Sequence, residues 1–269
     1  MQKFQTIFLS IFLVLSLAHC HEIVYNGSDI YLVPKGVPHT ETLIYLHGVG
    51  GSASNMLSSL FSNEATMFAR DTTRVVLLTA PLQNVTAYGG KLMHSWFNII
   101  TFNVKKEIDI VNALNLSEFV KTSVKIHQVM NEEIETMGGD STKLFIGGFS
   151  QGCFMSLYSG LTFDKTIGGI MGSSGALVTI PQLGQFNGAN ANIPLYISHG
   201  MNDTVVNFEL AEGVYRERLS PLQHKITKVY ENNVGHQITA TMQAKERQWF
   251  FDQTRPKSEV ENLFLPIFN

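Results

Sequence analysis

The sequence predicts a single α/β domain, a mainly parallel sheet with helices on both faces. Three observations carry that prediction. Short, nearly continuous apolar runs alternate with longer amphipathic ones, the pattern of strands covered on both faces and joined by crossover helices. A Gly-x-Ser-x-Gly pentapeptide, Gly148-Phe149-Ser150-Gln151-Gly152, falls where one such run gives way to a helical one. Apolar residues make up 44% and charged residues 15% of the 269 residues, ample for the core of one domain and the opposite of a disordered composition.

Residues 1–20 stand apart from the rest. Lys3 precedes an apolar run from Ile7 to Ala18, closed by Ala18-His19-Cys20. A basic start, an apolar middle and small residues flanking His19 describe a cleaved secretory signal. The run is shorter than the roughly 20 apolar residues of a membrane span. Residues 21–269 then form the domain. Residues 22–33 read as one or two leading strands. Further strands are expected over 42–46, 74–79, 143–146, 167–171, 193–198 and 225–230. Helices are expected over 54–70, 117–137, 152–161, 208–219 and 237–251. Residues 81–116 read as one long irregular stretch, and such loops in compact enzymes carry binding work. The tail, 255–269, holds Phe264, Leu265, Ile267 and Phe268. It is expected to dock on the domain surface, a flap over an apolar site being the alternative.

The net charge is −3 and no long Lys/Arg run occurs, which excludes nucleic acid as a natural partner, since phosphate binding needs a clustered positive field. Asn26, Asn84, Asn115 and Asn202 each open an Asn-x-Ser/Thr triplet. With a secretory signal they indicate a glycosylated protein, secreted or lumenal in the secretory and endolysosomal pathway. Once Cys20 leaves with the signal, Cys153 is alone and no intramolecular disulfide can form. It reads as a small buried filler.

The chemistry starts at Ser150. A serine nucleophile must sit on a sharp strand-to-helix turn, and flanking glycines remove side chains that would clash there. A hydroxyl needs a base and the base an orienting carboxylate, in the chain order Ser, acid, His. Asp203 lies just past the strand over 193–198; Asp164 follows Ser150 too closely, and Glu209 and Glu212 read as a solvated helix face. His199 precedes the acid and His224 begins a strand, which leaves His236, in the loop after the strand over 225–230. One oxyanion donor is expected from the N–H of Gln151, which also opens a helix. The other is expected from the loop His47-Gly48-Val49-Gly50-Gly51. That loop is not a phosphate cradle, because the Lys-Ser/Thr that closes a P-loop is absent.

These pieces resemble the acyl-protein thioesterase and lysophospholipase group of α/β-hydrolases, the phospholipase/carboxylesterase family. The resemblance rests on Leu46-His47-Gly48, Ser95-Trp96-Phe97, Gly147 to Gly152, His199-Gly200-Met201-Asn202-Asp203-Thr204-Val205-Val206 and Gly235-His236, and spans residues 40–252. It implies the α/β-hydrolase fold, a Ser150–Asp203–His236 triad, Val49 and Gln151 as oxyanion donors, and cleavage of acyl esters or thioesters with no cofactor or metal. The expected partner is a small-molecule or lipid acyl substrate, with transient membrane or lipid contact. Two departures stand out: members of the family are usually cytosolic, and their Trp-Phe-Asp is Trp-Phe-Asn here, at Asn98. Leu92, Met93, Trp96 and Phe97 either receive an acyl chain or are plain core. The rival expectations are a general carboxylesterase, a polysaccharide-ester esterase, and a non-catalytic binding protein on the same fold.

Overall fold

The apolar runs form strands because every second side chain has a helix to pack against on either face. The structure, a computed structural model, describes residues 20–61, 70–178, 188–219 and 225–255. The proposed signal up to His19, His224 and the tail beyond Arg255 lie outside the described residues. The strands are β1 (His21–Asn26), β2 (Asp29–Pro34), β3 (Glu41–Leu46), β4 (Thr73–Leu78), β5 (Leu82–Val85), β6 (Lys91–His94), β7 (Leu144–Phe149), β8 (Gly169–Ser173), β9 (Leu195–Gly200) and β10 (Ile226–Glu231). Eight of them make one sheet in the order β1-β2-β4-β3-β7-β8-β9-β10. The leading β1–β2 hairpin runs antiparallel, and β4 through β10 in that order are parallel.

The helices are α1 (Ala53–Leu60), α2 (Glu107–Asn112), α3 (Leu116–Thr136), α4 (Gln151–Thr162), α5 (Phe208–Arg218) and α6 (Ala240–Gln253). On one face Ile44, Leu46 and Ile146 pack with Phe119, Ile126 and Met130 of α3 and with α4 and α5. On the other, Leu43, Tyr45 and Phe145 pack with Met56 of α1 and with Trp249 and Phe250 of α6. Fully burying one such side chain stabilises the fold by about 1.5–3 kcal/mol, so two covered faces supply the core expected from composition. Cys153 is wholly buried in it, and burial raises its thiol pKa far above the ordinary value.

One expectation needs correction. Residues 81–116 are not one irregular stretch. Gly89 and Gly90, both at positive φ, turn the chain between β5 and β6, which pair antiparallel, and α2 follows. These elements are short and largely exposed, so they carry no long apolar period. Asn115 stands at the end of the same stretch. It caps α3, accepting the N–H of Glu118 on its side-chain oxygen and donating to Glu118 Oε1 at 2.8 Å, whereas Asn26, Asn84 and Asn202 are exposed. Among the described residues no helix is long and apolar enough to cross a membrane.

Candidate active site

All the pieces meet at the carboxyl ends of the parallel strands, the usual place for a site in an open α/β sheet. Ser150 sits between β7 and α4 at φ 53°, ψ −119°, a strained conformation held because its N–H donates to Ser173 O at 2.9 Å. The flanking glycines make the turn possible. A Cβ on Gly152 would lie 2.1 Å from Leu46 O, and one on Gly148 would lie 2.5 Å from the Gly152 carbonyl. Ser150 Oγ lies 2.8 Å from His236 Nε2, and His236 Nδ1 lies 2.7 Å from Asp203 Oδ2. An ionised carboxylate only accepts, so Nδ1 carries the proton and Nε2 is free to take one from Ser150.

Asp203 is held from four sides. The N–H groups of Val205 and Val206 donate to Oδ1, each at 2.9 Å. His236 and His199 donate to Oδ2, the latter at 3.2 Å. Burial alone would raise its pKa, but these bonds outweigh it and hold the carboxyl well below the usual range. His199, passed over as a base because it precedes the acid, is thus a support for that acid. Its Nε2–H also donates to Val206 O at 2.9 Å, and its Nδ1 is buried without a partner. The acid and histidine loops are pressed together at Gly200, where a Cβ would come 2.3 Å from Val234 O and 2.4 Å from Gly235 O. Asp164, the rejected acid, is exposed beyond the far end of α4.

The loop after β3 is pinned so that one N–H stays available. Gly50 N–H donates to His94 O and Gly51 N–H to Gly48 O, while that of Val49 has no acceptor among the described residues. Gln151 is the first residue of α4, so its N–H has no partner within the helix. His47 braces the loop: Nδ1–H donates to Gly48 O at 2.6 Å and Nε2 accepts from Ala80 N–H at 3.0 Å. Burial lowers its pKa to about 4, which keeps it neutral and in that tautomer. The Gln151 side chain ties the elbow to the segment 95–97, accepting from Trp96 N–H at 2.8 Å and donating to Phe97 O at 2.6 Å.

Beside Ser150 lies a cavity of about 240 Å³, lined among others by Phe97, Ile99, Leu114, Phe154, Val206 and Leu210. Of the residues expected to receive an acyl chain, only Phe97 lines it. Trp96 is buried against the His47 ring, centroids 5.0 Å apart, and its indole N–H donates to His47 O at 2.8 Å. Leu92 is exposed on the β5–β6 hairpin, and Met93 packs on the core. Asn98 does not line the cavity either; its side chain bonds Thr86, accepting the backbone N–H at 2.8 Å. Ile99 and Leu114, which pair in an isolated antiparallel bridge, and Leu210 of α5 share no common sequence period. Phe154, one helical turn past Ser150, is the one the motif itself could have flagged.

The model of the family described as Phospholipase/Carboxylesterase matches residues 28–250. The chain belongs to that family. It is a serine hydrolase of carboxylic esters or thioesters. Among the family's curated members, acyl-protein thioesterase 1 of Yarrowia lipolytica is 34% identical over 181 residues, 66% of this chain and 75% of that protein. The protein of the same name from Schizosaccharomyces pombe is 31% identical over 199 residues, 72% of this chain and 82% of that one. Of solved structures, Arabidopsis thaliana SOBER1 superposes with a TM-score of 0.68 at 23% identity, covering 80% of this chain and 100% of that chain. Zea mays acyl-protein thioesterase 2 gives a TM-score of 0.64 at 19% identity, covering 85% and 99%. These two likenesses bear on the fold, an α/β-hydrolase. No group of three His, Cys, Asp or Glu among the described residues is placed to hold a metal ion.

Proposed function

We propose that Ser150, His236 and Asp203 are the catalytic triad of an acyl-protein thioesterase- or lysophospholipase-like enzyme whose acyl group occupies the cavity beside Ser150. One observation carries the reading: the Ser150–His236–Asp203 chain, with bonds of 2.8 and 2.7 Å, stands at the mouth of an apolar cavity. His236 Nε2 takes the Ser150 proton as Oγ attacks the acyl carbon. The N–H groups of Val49 and Gln151 hold the resulting oxyanion. His236 then returns the proton to the departing alcohol or thiol. Water, deprotonated by the same nitrogen, attacks the acyl-serine ester and frees the acid and Ser150.

The substrate is an acyl ester or thioester with an aliphatic chain, in keeping with the names of the curated relatives. The site of action is the secretory pathway or beyond it, a reading that rests on residues 1–20 and on the exposed Asn26, Asn84 and Asn202 triplets. Fluorophosphonate labelling followed by a chain-length series of acyl esters and thioesters tests the chemistry. A single adduct on Ser150 and an optimum at intermediate chain length are expected. Preference for acetyl esters alone would favour a small-ester carboxylesterase and sink the acyl-chain reading. Amino-terminal sequencing of protein from a eukaryotic secretory host should begin at His21; recovery of Met1 would contradict the signal.

A further inference from the structure

A second, more open groove meets the acyl cavity at the reaction centre. It has a volume of about 400 Å³ and lies between α1 and the loop that carries His236. Gly48, Val49, Phe149 and His236 line both spaces. Ser150 and Gln151 line the acyl cavity and are not among the described residues lining the groove. We infer that the groove receives the leaving group of the substrate, and that it selects an uncharged, largely apolar alcohol or thiol. The inference rests on the hydrolase reading above and concerns the other half of the substrate; within that reading it favours a thioesterase-like enzyme over a lysophospholipase, whose leaving group carries a phosphate.

The chemistry assigns the two spaces. The acyl carbon must touch Ser150 and both oxyanion donors, so its chain runs into the cavity that those groups line. The departing oxygen or sulfur must instead reach the proton on His236 Nε2. A group filling the second groove is held against His236 and not against the nucleophile, where a leaving group has to be.

Charge defines what fits. Met56 and Leu60 of α1 and Ile238 of the histidine loop supply apolar lining, and Asn55, Ser59 and Gln237 supply neutral polar groups. Both walls come from stretches with no Lys, Arg, Asp or Glu, residues 42–63 and 232–244. A phosphate or carboxylate on the leaving group would give up water there with no Lys or Arg among the described lining residues to replace it. An apolar group would gain by burial.

The test uses octanoate esters of three alcohols: methanol, hexanol, and hydroxybutyl phosphate, which matches hexanol in reach but is charged. All three pass through the same acyl-serine, so differences in kcat/KM report acylation alone. The wild-type enzyme should prefer the hexyl ester to the phosphate ester by at least about 10-fold. Ser59→Trp, at an exposed position on α1, should lower kcat/KM for the hexyl ester at least about 10-fold and leave the methyl ester within about 2-fold. Asn55→Lys should raise kcat/KM for the phosphate ester at least about 5-fold, a gain that misfolding cannot mimic. Equal turnover of hexyl and phosphate esters by the wild type, or equal losses on methyl and hexyl esters in Ser59→Trp, would overturn the inference. Ser150 would still label with fluorophosphonate in that case. Absence of both labelling and ester turnover would instead overturn the hydrolase reading, and the inference with it.

Discussion

At the scale of single residues, the site depends on contacts too close to yield. Gly200 is one. Any side chain there must push against the carbonyls of Val234 and Gly235, 2.3 and 2.4 Å from a Cβ, and so displace His236 from Asp203. Gly200→Ala should lower kcat about 10²-fold, because small misplacements of a catalytic group are costly, and should lower stability by about 1–3 kcal/mol through overpacking. Steady-state kinetics with a thermal melt check both; unchanged kcat would show that the histidine loop moves freely. His199 is the second. His199→Phe removes the donor to Asp203 Oδ2 and to Val206 O and leaves Ser150, His236 and Asp203 in place. Its expected effect is a loss of about 10- to 10²-fold in kcat with little change in KM, since the acid loses rigidity and not substrate contact. A rise in KM alone would contradict a positioning role.

At the scale of elements, α4 joins nucleophile to cavity. Ser150 precedes its first turn and Phe154 closes that turn, lining the cavity beside Ser150. Phe154→Trp takes up cavity volume without touching the triad. It should shift the optimum of a chain-length series toward shorter acyl groups while the rate on an acetyl ester stays within about 3-fold. An unchanged optimum would place the chain elsewhere. The cavity wall also includes Ile110 of α2, and α2 is tied to α5 by the Glu107–Arg218 pair at 2.9 Å. That pair is largely solvated, so Arg218→Ala should change stability by less than about 1 kcal/mol, measurable by urea denaturation.

At the scale of the whole molecule, Glu246 on α6 lies fully buried against the sheet. Tyr45 of β3 donates to its Oε1 and Ser173 of β8 to its Oε2, each at 3.2 Å. Burial raises its pKa to about 8, against the smaller lowering effect of those hydroxyls. The unfolded carboxyl has an ordinary value near about 4.3, so the folded state holds the extra proton between the two. Stability from this group is therefore complete at low pH and falls by about 1.4 kcal/mol per pH unit as pH rises through that window. Melting temperatures from pH 5 to 8 should fall less steeply in Glu246→Gln than in the wild type; parallel curves would refute the buried acid. Glu246 was not legible as special in the sequence, since one acid in an amphipathic helix looks like any other. The inner parallel strands were legible because both their faces are covered and their runs are continuous; the edge strand β10 mixes buried and exposed residues. The meeting of Ser150, Asp203 and His236 was legible because the elbow motif and the chain order Ser, acid, His constrain it. The β5–β6 hairpin, the buried support by Trp96 and His199, and most of the cavity lining were not, because they arise from contacts between distant segments. The central claim is that Ser150 is the nucleophile, and kcat/KM for an acyl ester in Ser150→Ala tests it most directly. With the fold verified by circular dichroism, the account predicts a loss of about 10⁴- to 10⁶-fold, and turnover near the wild-type level would contradict it.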